Sequence, residues 1–320
     1  MGKKLVYVDK KIRKRKKLFF FVMFIFGIYF SFKLIDQSNL KLDDKELVQL
    51  LLSKSSSFSE KEESVLDKIF VKIKGFYKEP VKLLISEQSN LVEIKSDSQV
   101  VKNVNKEVKR NHNEQKPLIY IYNTHQTEEY AASNFLEYSV NPTVMMNDYI
   151  LEDVFEKNGL PTLVEERKIK DILTENGWKY SYSYMASRKL MEDAKNSNPS
   201  LKYFIDVHRD SLTKNKTTIT IDGKDYAKTI FLIGIENIKY NENLIFTTKL
   251  NDKLNQKYPG LSKGIYKKGG VGVNGVYNQD FSPYTILIEV GGYENTTTEV
   301  LNSMLAFSEC FIEVINENEG

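Results

Sequence analysis

From residue 117 onward, short runs of apolar, β-branched and aromatic residues alternate with amphipathic segments, and that alternation restricts the fold more than any other feature of the chain. LIYIYNT (residues 118–124) reads as a buried strand, TVMMNDYILEDVFEKNG (143–159) as a helix closed by a glycine, and LPTLVEE as a short strand. Residues 180–196 read as a helix and KYFIDVH (202–208) as a second buried strand. A hairpin is expected at Asp222-Gly223 between TTITI and TIFLIGI. Residues 241–258 read as helical, TILIEVG (285–291) as the last strand, and Thr296 with Glu299 caps a closing helix that carries Cys310. Strands that are apolar along their whole length need cover on both sides. The expected fold is therefore α/β, a mostly parallel sheet with helices on both faces, formed by residues 117–320.

Upstream the texture differs. Residues 1–17 carry nine Lys/Arg and one Asp, so of the formal net charge of +3, +8 lies there and −5 on the rest. A mildly acidic body argues against a nucleic-acid binder, which needs a basic face. After the basic run comes LFFFVMFIFGIYFSF, with no charge before Lys33; residues 18–35 are long enough as a helix to cross the hydrocarbon of a bilayer. Positive flanks stay cytoplasmic, so residues 1–17 are expected inside and everything after residue 35 outside. No small-x-small pair follows the apolar core, so this segment is expected to remain as a transmembrane anchor and not a cleaved signal.

Residues 36–116 are rich in Lys, Glu, Ser and Asn and read as an extracytoplasmic stalk. Two short helices are expected in it, at 43–53 and 60–74, with a flexible linker at 86–115.

In doubly covered parallel sheets reactive groups collect at the carboxyl ends of strands. His125 follows LIYIYNT, His208 ends YFIDV, and Glu289 lies inside TILIEVGG, so all three are expected at one crevice. Only three histidines occur; the third, His112, has no strand beneath it and reads as solvated. Two imidazoles and a carboxylate make the open zinc shell whose fourth position is water. Glu128 and Glu129 are the nearest carboxylates to His125. Rival chemistries lack their signatures: there is no Gly-x-Ser-x-Gly, the one cysteine sits on an amphipathic helix, and GGVGVNG (269–275) has no Lys-Ser/Thr after it. That loop reads as flexible, a lid over the crevice.

The strings IYNTHQTEEY, FIDVHRDS and ILIEVGGYENT, in this order behind an amino-terminal anchor, resemble the stage II sporulation protein P family over residues 117–311. The helix at 143–159 and the SYSYMASR segment share in the resemblance. It implies an amidase-like fold and a Zn2+-dependent N-acetylmuramoyl-L-alanine amidase, which hydrolyses peptidoglycan and its stem-peptide cross-links during engulfment in sporulation. By motif, His125 and His208 match the metal histidines, Glu128 the acidic ligand and Glu289 the catalytic glutamate. Where the family often has His-Thr-His this chain has Asn123, and an acidic residue between 148 and 152 could replace Glu128 as ligand. Arg209 and Asp210 either orient the peptide substrate or pair structurally. The implied partners are peptidoglycan, sporulation protein D and sporulation protein M, at the membrane of the sporulation septum. The rival from another class is an inactive, anchored wall-binding scaffold.

Overall fold

The structure, a computed structural model, describes residues 41–56, 116–135 and 138–319. The apolar segment 18–35, the helix expected at 60–74, the linker and His112 lie outside the described residues. Among the described residues no helix is long and apolar enough to cross a membrane. The chain divides into two units, Met1–Val48 with Pro117–Gly320 and Gln49–Lys116, and the first holds the sheet.

The elements, in chain order, are helix α1 (Asp44–Ser56), strands β1 (Ile119–Tyr122), β2 (Ser133–Phe135) and β3 (Tyr138–Val140), helix α2 (Met145–Lys157) and strand β4 (Thr162–Val164). Helices α3 (Ile169–Glu175) and α4 (Ser183–Ser197) follow, with a 3-10 turn at Tyr180–Tyr182 between them. Then come β5 (Tyr203–Asp210), the short α5 (Lys214–Thr217), β6 (Thr218–Ile221), β7 (Lys224–Ala227) and β8 (Thr229–Gly234). Helix α6 (Tyr240–Lys257), β9 (Ser262–Lys268), β10 (Thr285–Gly292) and α7 (Thr297–Glu319) complete the chain.

Six strands form one sheet in the order β4-β1-β5-β10-β8-β9. Every pairing is parallel except β10 with β8. The alternation of side chains along β5 shows why both faces are covered. Phe204 packs with Tyr120 and Tyr122 of β1 and with Met191 and Ala194 of α4 on one face. Tyr203 packs against Phe311 of α7 and Phe246 of α6 on the other. Cys310 is buried in α7, and burial pushes its thiol up to about 12, so it is no nucleophile at neutral pH.

Three expectations change. The turn at Asp222-Gly223 forms, with both residues at positive φ as a tight hairpin turn requires, but it joins β6 to β7. TIFLIG becomes β8 instead, because all six of its residues are buried and need sheet neighbours on both sides. β9, β2, β3 and α3 form where no element was expected: β9 has exposed lysines at its end and α3 spans two turns, so neither carries a strong period. Residues 41–48, assigned to the stalk, pack on the domain. Leu47 and Val48 are buried, and the Asp44 carboxylate accepts from both the backbone N–H (2.9 Å) and the hydroxyl (2.6 Å) of Thr143.

Candidate active site

Strand register builds half of the site. Parallel pairing of β5 with β10 sets His208 directly opposite Glu289, so both side chains leave the sheet on the same face, the face covered by α4. The strand then turns away: Gly291 has φ +61, and Gly292 passes so close to the Leu212 carbonyl that a Cβ there would collide with it. Glu289 is half-buried. Burial first, and then the nearby Asp210 carboxylate, hold its own carboxyl above the usual range.

The turn after β1 supplies the other half. His125 lies in this turn with its ring centroid 5.3 Å from that of His208 and nearly perpendicular to it. Its Nδ1 is 2.8 Å from the Tyr180 hydroxyl, and the Tyr180 ring stacks against it at 5.1 Å. Burial, and the charge of His208, push the His125 imidazolium below its ordinary range. Three residues on, Glu128 bends back so that Oε2 accepts from the Arg209 backbone N–H at 2.9 Å and stands 3.5 Å from His208 Nδ1. Burial works against the Glu128 anion, but His208 and the Arg209 amide outweigh it and its carboxyl falls below the usual value.

His208 is fully enclosed. Burial disfavours its charge, but the carboxylates of Asp206 and Glu128 reverse this and raise the imidazolium to about 10. Nε2 lies 3.0 Å from Asp206 Oδ1, off the line of a hydrogen bond, so this buried nitrogen has an ionic neighbour without an aligned partner. Tyr184 closes the cleft, edge-on to His125 and parallel to His208 at 5.7 and 6.5 Å between centroids, with Tyr277 behind it.

The other expected residues fall as follows. Glu129 is exposed and offers its backbone carbonyl to Arg209 Nε at 2.6 Å. Arg209 also donates to the Asp210 carbonyl at 3.2 Å, so its guanidinium braces backbone, and Asp210 stands 3.5 Å from Lys263 Nζ. Asp148 is buried and accepts from Asn123 Nδ2 at 3.1 Å; burial pushes its carboxyl well up, towards the neutral acid. Glu152 lies near Lys45 of α1. Of the carboxylates considered as third ligand, Glu128 is the one in contact with His208. The GGVGVNG loop is pinned at both ends by Glu236, whose carboxylate accepts from the Gly270 N–H at 2.6 Å and whose own N–H donates to the Gly275 carbonyl at 2.9 Å. Asp206, Thr124, Tyr180 and Tyr184 join the site without having been singled out. Asp206 lies two residues before His208 and hence on its face, which the strand period alone could have indicated.

Among the described residues, no three His, Cys, Asp or Glu side chains are drawn together closely enough to hold a metal ion as they stand. The donor chemistry of His125, His208 and Glu128 nonetheless fits an open zinc shell, two imidazole nitrogens and one carboxylate oxygen. In His125 one nitrogen faces Tyr180 Oη and the other is left for a ligand bond; in His208 Nε2 faces Asp206 Oδ1, and Nδ1 faces Glu128, the carboxylate that would share the ion with it.

A family model for stage II sporulation protein P matches residues 47–312. Stage II sporulation protein P of Bacillus subtilis (strain 168) is 35% identical over 244 residues, which are 73% of this chain and 60% of that protein, so the match spans about three fifths of the relative's length. Among solved structures, N-acetylmuramoyl-L-alanine amidase AmiC2 of Nostoc punctiforme is similar at TM-score 0.37 and 10% identity, covering 62% of this chain and 97% of that one. The CwlD amidase from Clostridioides difficile, solved in complex with the GerS lipoprotein, is similar at TM-score 0.42 and 12% identity, covering 63% and 99%. Likeness that loose fixes no correspondence between residues.

Proposed function

The chain belongs to the stage II sporulation protein P family, and from that premise we propose that it is a membrane-anchored peptidoglycan hydrolase which cleaves the amide between the muramic acid lactyl group and the first L-alanine of the stem peptide. The family resemblance extends the proposal to stem-peptide cross-links and to sporulation proteins D and M as partners at the engulfing membrane. Residues 18–35 are the anchor and the folded domain is extracytoplasmic.

The observation that supports this reading most is the ladder register that pairs Glu289 with His208, with His125 stacked edge-on beyond it. In the proposal His125, His208 and Glu128 hold zinc, and Glu289 is kept for chemistry. A zinc ion bound there supplies Lewis-acid polarisation of the scissile carbonyl and a lowered pKa for water. Glu289 removes a proton from the attacking water at a carboxylate oxygen and returns it to the leaving amide nitrogen, so that each product is neutral at the bond broken. Its raised carboxyl suits this return, because an acid near its ordinary value gives up a proton too readily to hold it through the step. Arg209 keeps the turn that carries Glu128 in place through the Glu129 carbonyl, and its backbone N–H orients the Glu128 carboxylate. Tyr184 and Tyr277 keep bulk water off the rings.

The test is digestion of purified peptidoglycan by the full chain and by Glu289→Gln, with identification of the new chain ends and measurement of bound zinc. The expected result is free L-alanine amino ends from the unaltered chain. With Glu289→Gln, zinc content should persist while turnover falls by about 10²- to 10⁴-fold, the range for a positioned proton-transfer group. Loss of zinc from Glu289→Gln would make the residue a ligand. Full activity would remove it from the reaction, and no cleavage by the unaltered chain would favour the wall-binding scaffold.

A further inference from the structure

The fold treats the two nitrogens of His208 differently. Nδ1 faces Glu128 and Nε2 faces Asp206. Asp206 is wholly buried, and both of its oxygens accept from Thr124: Oδ1 from the backbone N–H at 2.9 Å and Oδ2 from the hydroxyl at 2.7 Å. A hydroxyl has one proton to give, and with that of Thr124 on Asp206 its Oγ1 stands 2.9 Å from Ser187 Oγ of α4, whose own proton is shared between Thr124 and the Tyr184 carbonyl at 3.2 Å. Ser187 Oγ in turn receives a hydrogen from Asn278 Nδ2 at 3.0 Å. Ser187 and Asn278 stand behind Thr124, and the two Thr124 donors end on a carboxylate that only accepts. A ring nitrogen buried 3.0 Å from such a carboxylate, even off the line of a hydrogen bond, favours carrying a hydrogen, because a bare lone pair there would repel the carboxylate and stay unsatisfied.

We propose that Asp206 is a positioning residue that holds His208 as the Nε2–H tautomer and thereby makes Nδ1 the atom offered to the metal. The inference rests on the zinc site proposed above and names the donor atom that site uses. His125 has no such constraint: the Tyr180 hydroxyl beside its Nδ1 can donate or accept, and either tautomer is satisfied. A purely structural Asp206 would do no more than tie Thr124 to β5, and its loss would lower stability without altering how His208 binds metal. The same logic predicts a graded response along the relay. Loss of the carboxylate charge acts on Nε2 directly, whereas loss of the Thr124 hydroxyl removes one of the two donors that hold the carboxylate.

The experiment uses the full chain, its Asp206→Asn and Thr124→Val variants, and zinc alone as the probe. Zinc affinity is measured by competition with a chelator, and the histidine ring nitrogens of zinc-loaded protein are assigned by nitrogen-15 spectroscopy. The expected spectrum of the unaltered chain has His208 ligated through Nδ1 with hydrogen on Nε2. Asp206→Asn should weaken zinc about 10- to 100-fold, the usual cost of removing a partner behind a metal histidine, and Thr124→Val should weaken it by less than tenfold. Ligation of the unaltered chain through Nε2 would overturn the proposal, as would unchanged zinc affinity in a folded Asp206→Asn. If Asp206→Asn fails to fold, unchanged affinity in Thr124→Val decides against it. A chain that binds no zinc at all would overturn the underlying metal site, a result distinguishable from any of these.

Discussion

The two halves of the cleft are built by different means. His208 and Glu289 stand opposite each other on adjacent strands, where backbone pairing sets their spacing before any side chain contributes. His125 and Glu128 stand on a turn and are aimed by single hydrogen bonds to distant residues, Tyr180 and the Arg209 amide. The sheet-borne half is buried between two carboxylates, while the turn-borne half is partly open and leans on an exposed tyrosine. The sheet therefore supplies the fixed reference, and the turn is the part of the site that can be adjusted at low energetic cost.

The strongest way to break that contrast is to remove each imidazole in turn from zinc-free protein. His208→Ala leaves Asp206 with a buried, uncompensated charge and is expected to cost about 3–5 kcal/mol of folding stability. His125→Ala removes a partly solvated ring and should cost about 1 kcal/mol. Denaturant unfolding of the two variants measures both, and equal losses would erase the distinction.

The dependence on pH sharpens it, because the two rings move in opposite directions. The His208 imidazolium is raised to about 10, so its contribution is complete below the unfolded value near 6.5 and is lost as pH climbs through about 10. The His125 imidazolium is lowered, so the unfolded chain binds its proton first, and this ring destabilises the fold as pH drops below about 6.5. Unfolding midpoints of zinc-free protein across that span should fall on both sides. His125→Ala should flatten the acid limb alone, whereas His208→Ala should flatten the alkaline limb and, by removing the charge that helps depress His125, soften the acid limb as well.

The smallest expected effect is that of Tyr180→Phe, which keeps the stacked ring and deletes only the hydroxyl. A partly exposed hydrogen bond of this kind contributes about 0.5–1.5 kcal/mol, so stability should fall by about 1 kcal/mol or less by the same unfolding measurement. A loss as large as that from His208→Ala would mean that the turn is as rigid as the sheet.

The same contrast explains what could be seen in the sequence. Buried strands announce themselves by composition, and a residue at the end of one has a predictable place; His208 and Glu289 were legible for that reason. Tyr180 and the Arg209 amide reach the turn from across 55 and 81 residues, and no local period links them to His125 or Glu128. Asp206 sat inside the string FIDVH and passed as one strand residue among others, although a carboxylate in a buried strand always needs donors. The hairpin partner differs from the sequence expectation for a related reason: TIFLIG is too apolar for a two-stranded ribbon, and KDYA, short and half polar, suits one.

The docking of Asp44 on Thr143 has a consequence for distance. Residues 41–48 and residues from 117 onward belong to one unit, so the chain leaves that unit at residue 49 and comes back to it at 117. The intervening segment is a closed excursion: doubling its length costs only about 0.6 kcal/mol of closure entropy, and it cannot lengthen the tether. If residues 18–35 are the anchor, as proposed, only residues 36–40 lie between it and the docked segment that begins at Lys41. At about 3.5 Å per residue, five residues extend to at most roughly 18 Å. On that proposal the hydrolase would be confined to the layer of wall nearest its own membrane, and lengthening residues 36–40, not the excursion, is the change that would let it cut farther out.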